Sequence, residues 1–167
     1  MSGNLSRRGF ISVAASVLVL QNSAIADEFI DLKWNDLLPE GQSAIPSSLL
    51  GLVEHDGPSL SSQQPLSTGV RTDWNGKIVR LPGFIIPIEY SGSGVTAFLL
   101  APYVGACVHV PPPPANQLVL VTTDTPYESS GMFESVNVIG TFGTVSITTQ
   151  LAEVGYVLSA ERIAPFS

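Results

Sequence analysis

The chain has 167 residues, with fourteen acidic side chains against seven basic ones and a formal net charge of −7. A single cysteine excludes an intrachain disulfide, so the fold must rest on its apolar residues, 44% of the chain and enough for one ordinary core. So acidic a chain lacks the lysines and arginines that displace counterions from a phosphate backbone, which argues against nucleic acid as a partner.

Residues 1–26 read as a removable export leader. Arg7-Arg8 precede Gly9-Phe10-Ile11, an apolar run occupies 11–20, and Ala24-Ile25-Ala26 ends at the acidic Asp27. Paired arginines, a short apolar stretch and a small-residue cleavage site make a bacterial signal peptide of the twin-arginine type, with an ordinary secretory leader as the competing reading. The apolar run is shorter than the roughly 20 residues of a spanning helix. Removing the leader leaves five basic residues against the same fourteen acidic ones, a formal charge of −9. The mature protein is therefore expected in the periplasm or otherwise exported, soluble and without stable membrane insertion.

Residues 27–72 form an irregular, loop-rich N-terminal arm in this reading. The pattern of 29–38 predicts one or two amphipathic helical turns ending before Pro39. The stretch 40–72, rich in serine, glutamine, glycine and proline, predicts a loop around a short turn at 47–53.

The character changes at Asn75-Gly76, a turn dipeptide that opens a β domain over 73–167. Five strand-like runs follow at 77–90, 95–103, 117–123, 136–147 and 155–163, dominated by β-branched, apolar and aromatic residues. Turn-prone segments at 91–94 and 125–131 separate some of them, and 148–154 has room for one helical turn. Pro82 and Pro87 predict bulges or edge positions, because proline cannot donate to a ladder. Gly140 and Gly143 predict a bend that lets a small sheet close on itself. Five such strands with little helix predict a mainly β fold, a five-stranded OB-like barrel, with a two-sheet sandwich as the alternative.

The chemistry concentrates in 105–117, Gly-Ala-Cys-Val-His-Val-Pro-Pro-Pro-Pro-Ala-Asn-Gln. On extended backbone Cys107 and His109 share one face, where thiolate and imidazole could hold zinc. His55, between Glu54 and Asp56, is the candidate third ligand, with Asp124 and Glu134 behind it. The opposing reading is that Cys107, set among Gly105, Ala106, Val108 and Val110, is a small core hydrophobe. A third reading makes Cys107 a nucleophile activated by His109, with Asn116 orienting the ring. Pro111, Pro112, Pro113 and Pro114 favour an extended rod. With Asn116 and Gln117, that rod either offers a partner-binding surface or stiffens a strand crossing, packed on Trp74 or Tyr103 with the amides holding the loop shut. The remaining acidic residues are scattered, with no general acid/base pair. No glycine-rich phosphate loop or Gly-x-Ser-x-Gly elbow is present.

The segments 79–87, 98–103 and 105–117, with Val138-Ile139-Gly140-Thr141-Phe142, Gly155-Tyr156 and Ile163-Ala164-Pro165, resemble the bacterial family catalogued as domain of unknown function 3299. The resemblance covers about residues 73–165. It implies an OB-like barrel and an exported protein, and points toward metal uptake, since some relatives are associated with zinc-regulated transport systems. It supplies no catalytic residues. The leading expectation is an exported envelope accessory protein that binds a divalent metal, zinc, or a protein partner such as an envelope transport or assembly protein. A metal-free peptide or oligosaccharide binding module and a thiol-dependent enzyme using Cys107 and His109 are the alternatives. Binding is placed ahead of catalysis.

Overall fold

The computed structural model describes residues 28–42 and 59–166. The five apolar runs become β2 (Ile78–Ser91), β3 (Gly94–Ala101), β4 (Val119–Tyr127), β5 (Ser135–Thr148) and β6 (Glu153–Pro165). The arm contributes a two-residue strand, β1 (Ile30–Asp31), laid parallel to the start of β2. The strand order is β1-β2-β3-β4-β6-β5, and β5 returns to β2 to close the barrel. Closure works because β2 is long: it pairs with β5 along Ile78–Phe84 and with β3 along Phe84–Ser91. The third and fifth barrel strands, β4 and β6, run parallel. The architecture is the expected five-stranded OB-like barrel with one extra strand, not a sandwich.

Strand alternation sorts the apolar residues into two layers. Phe98 and Leu100 of β3 join Val119, Val121, Tyr156 and Leu158 in the barrel interior. Their neighbours Leu99 and Ala101 face the other way, into a second buried cluster with Ile86 and Leu118. A fully buried side chain of this size contributes about 1.5–3 kcal/mol, so a wall apolar on both faces needs a cover on the outside as well.

The glycine and proline signals locate the bends. Pairing of β5 with β6 shifts register between Ile139 and Gly140. A Cβ at Gly140 would fall far inside contact distance of the Ser159 carbonyl oxygen, so only glycine lets the two backbones approach. Pairing of β2 with β3 shifts just after Pro87.

Three local expectations are corrected. Residues 148–154 make no helical turn: Thr148 ends β5, Glu153 starts β6, and between them Thr149 Oγ1 accepts from the amides of Leu151 and Ala152 at 3.2 and 3.1 Å, a geometry that competes with a helical turn. Strand β4 continues through 125–127, because Pro126 lies against Gly94, which has no side chain to exclude it. The 29–38 segment splits into β1 and a 3-10 turn at Trp34–Leu37, closed by the Lys33 amide donating to Asp36 Oδ2 at 2.8 Å. The turn expected at 47–53 lies outside the described residues.

The described parts of the arm are built into the barrel. Leu32 and Leu37 enter the interior cluster, and Trp34 Nε1 donates to the Pro82 carbonyl at 2.8 Å. The Tyr156 hydroxyl donates to the Leu37 carbonyl and accepts from the Arg71 amide, both at 2.7 Å.

Candidate functional site

The segment joining β3 to β4 holds the residues singled out for chemistry, and its backbone decides what they can do. Gly105 and Cys107 both take left-handed backbone angles, φ 89° and 65°. The chain thereby folds into a tight turn in which the Gly105 carbonyl accepts from the amides of Val108, His109 and Val110 at 3.3, 2.9 and 3.1 Å. This corrects the extended geometry expected for Cys107-Val108-His109, so the alternation that would put thiol and imidazole on one face does not apply.

The two side chains have different surroundings. Cys107 is 6% exposed and sits in the outer apolar cluster with Ala106, Leu99 and Leu118. Burial pushes its thiol up to about 12, so the sulfur stays protonated at neutral pH. The thiolate, not the thiol, is the nucleophile and the metal ligand. His109 is exposed, its ring 5.9 Å from that of Phe133.

Nor do the described co-ligand candidates, Asp124 and Glu134, gather with Cys107 and His109. Among the described residues, no three His, Cys, Asp or Glu side chains stand close enough to hold one ion. Glu134 accepts from the Tyr127 hydroxyl, Ser129 Oγ and the Ser130 amide at 2.9, 2.8 and 2.7 Å, fastening its own loop. Asp124 is exposed on β4, and His55 lies outside the described residues. Among the described residues, the buried Cys107 sulfur and the exposed His109 ring are joined by no third ligand.

The prolines are largely buried as well. Pro111, Pro112 and Pro113 are buried and Pro114 half-buried, so the rod faces inward instead of presenting itself to a partner. The Pro113 carbonyl accepts from Gln64 Nε2 at 2.8 Å, and the Tyr103 hydroxyl reaches the Pro111 carbonyl at 3.5 Å. Asn116 and Gln117 follow in a 3-10 turn, 1% and 3% exposed. Asn116 Nδ2 donates to the Gly69 carbonyl at 2.8 Å and Thr68 Oγ1 at 3.2 Å, and Gln117 Nε2 donates to the Trp34 carbonyl at 2.9 Å. The amides therefore tie the arm to the barrel; among the described residues, the buried Asn116 Oδ1 has no hydrogen-bond partner, and no bond joins it to His109.

Residues 105–118 thus wrap the outer face of β2, β3 and β4. In OB barrels the face of the second and third strands, here β3 and β4, is the usual ligand surface. In this chain much of it is occupied from within.

Sequence reasoning missed an open cleft of mixed polar and apolar lining at the β5–β6 turn. It has a volume of about 370 Å³ and lies between residues 61–66 of the arm and 148–153. One wall is set by Gln64, whose Oε1 accepts from the Glu153 amide at 2.7 Å while its Nε2 donates to the Glu153 carbonyl at 2.9 Å. The side-chain amide stands in for a neighbouring strand. Thr149 Oγ1 fixes the facing turn. The only prior signal was a serine- and glutamine-rich stretch, which reads as ordinary loop. A smaller groove of about 280 Å³ lies where the ends of β4 and β6 separate, between Thr125 and Ile163.

Residues 34–165 match a family described as "Protein of unknown function (DUF3299)". The chain belongs to the DUF3299 family. The crystal structure of a DUF3299 family protein from Pseudomonas aeruginosa PAO1 is similar, with 35% sequence identity, 84% of this chain and 97% of that chain covered, and a TM-score of 0.70. No functionally curated protein matches. The DUF3299 match begins at Trp34, well before the start near residue 73 that the sequence resemblance implies. The family unit thus takes in arm residues that Gln117 and Tyr156 hold.

Proposed function

We propose that this DUF3299 protein is an exported accessory protein of the bacterial envelope that acts by binding, without catalysis and without a metal at Cys107 and His109. The observation that carries this reading is the burial of the Cys107 sulfur in an apolar cluster, on a turn whose left-handed backbone breaks the alternation that would align it with His109. Of the readings open at the sequence, that leaves the metal-free binding module best supported. Export rests on the leader sequence at 1–26. Among the described residues no helix is long and apolar enough to cross a membrane. The acidic surplus of the mature chain favours neutral or cationic ligands over phosphate-rich ones.

Metal analysis of the mature protein, prepared without a histidine tag, tests the metal-free claim together with thiol alkylation. Zinc well below stoichiometric and a thiol that reacts only after denaturation are expected. Near-stoichiometric zinc that disappears in Cys107→Ser, or fast alkylation of the folded protein, would overturn the reading. Arg7→Lys with Arg8→Lys should retain unprocessed precursor in the cytoplasm. Normal processing of that double variant would remove the twin-arginine route.

A further inference from the structure

We propose that the cleft between residues 61–66 and the β5–β6 turn binds an uncharged glycan, such as an N-acetylated envelope saccharide. This inference rests on the binding-module reading and gives it a place and a ligand class. The cleft's 370 Å³ falls within the about 300–1,000 Å³ typical of small-molecule sites.

Its polar groups divide into two sets. Gln64, Ser62 and Thr149 are engaged within the protein: Ser62 Oγ donates to the Ser59 carbonyl at 2.6 Å, Thr149 Oγ1 to the Ala152 carbonyl at 2.9 Å, and Gln64 bridges to Glu153. These residues hold the walls in place before any ligand arrives. Thr148, Gln150 and the Glu153 carboxylate line the same cleft, and their side chains make no hydrogen bond among the described residues. A hydroxyl and a primary amide each donate and accept, and a carboxylate accepts, which is the complement that sugar hydroxyl and acetamido groups require. Leu66, 92% exposed and next to Pro65, supplies an apolar side for the C–H face of a pyranose ring.

The same geometry disfavours other ligands. Among the described residues, Glu153 is the only charged one lining the cleft, so an anionic chain meets no cation from them there. An extended peptide would need a free strand edge. The Glu153 backbone is already paired through Gln64, and the Thr149 side chain satisfies the turn amides.

The test is an amide-resolved NMR titration of the mature protein with a tetrasaccharide of N-acetylglucosamine. Saturable shift changes confined to 61–66 and 148–153 are expected. Gln150→Ala and Thr148→Val, both at exposed positions, should weaken binding about five- to tenfold with an unchanged melting temperature. Absence of shift changes up to about 10 mM, or changes centred elsewhere on the barrel, would overturn the proposal. So would tighter binding of a heparin tetrasaccharide, or occupation of the cleft by a valine–threonine decapeptide in place of the sugar. In the peptide case the binding-module reading stands. Conversely, zinc at Cys107 would sink that reading while leaving a glycan response at this cleft measurable.

Discussion

The hydroxyl of Tyr156, deep in β6, donates to the Leu37 carbonyl 119 positions earlier in the chain, and the same oxygen accepts from the Arg71 amide. One buried oxygen thereby ties two separate stretches of the arm to the centre of the barrel. Tyr156→Phe keeps the ring, which stacks 5.1 Å from that of Phe142, and removes both bonds. The Leu37 carbonyl and Arg71 amide lose their partner, at a cost of about 1–3 kcal/mol. Urea unfolding should show that loss, with faster hydrogen exchange concentrated at 28–42.

Gln117 makes a second such tie, from its buried amide to the Trp34 carbonyl. Gln117→Leu is close in size but cannot donate, so it should destabilise by about 1–3 kcal/mol. Limited proteolysis should then cut first within the arm. A cut that begins inside β3 or β4 would refute this assignment.

Cys107 combines burial with φ 65°. Cys107→Ala removes only the sulfur and should cost about 1 kcal/mol. Cys107→Val, β-branched in the left-handed region, should cost at least about 2 kcal/mol more. The wild-type thiol also titrates higher when folded than when unfolded. Its contribution is fully present below the unfolded thiol's pKa of about 8.5 and is lost as pH rises toward about 12. Cys107→Ala should remove that part of the alkaline decline in unfolding free energy.

Glu134 governs the acid side. Burial disfavours its carboxylate, but the bonds from Ser129, the Ser130 amide and Tyr127 outweigh burial and hold it below the usual carboxylate range. A lowered folded pKa gives stability that is present above the unfolded value, near 4.3, and lost as pH falls through the folded one. Glu134→Gln should therefore flatten the fall in urea midpoint between about pH 5 and about pH 3. An unchanged acid limb would show that the carboxylate carries no such linkage.

Gly140→Ala tests closure of the barrel. The added methyl meets the Ser159 backbone, which cannot move aside as a side chain can. A loss above about 3 kcal/mol, or failure to fold, is expected from such overpacking.

The strands were legible because each is a run of β-branched and apolar residues bounded by turn chemistry. Their observed ends lie within two residues of the expected ones, except for the far end of β4, where Pro126 reads as a break. The arm's integration was not legible. Its fastenings run from Tyr156, Gln117 and Asn116 to backbone carbonyls, and a carbonyl carries no residue identity. Period-two reasoning misled at Cys107 and His109 because it presumes extended backbone. Gly105 was the one available warning, since glycine admits the left-handed angle that starts the turn. The inward-facing prolines are one of the two readings the sequence leaves open, strand-crossing brace or partner surface, because a stiff rod has the same sequence whichever side it shows to solvent.

The wrapping of β3 and β4 by residues 105–118 has a consequence for competition. The cover is tethered at both ends to the strands it shields, so it meets that wall at an effective concentration of order millimolar, which no dilution reduces. A soluble molecule seeking the same surface must displace a neighbour that can never diffuse away. Access to that wall is therefore governed by changes in the tethered segment, and a shortened loop between Ala101 and Val119 would turn a self-occupied surface into a vacant one.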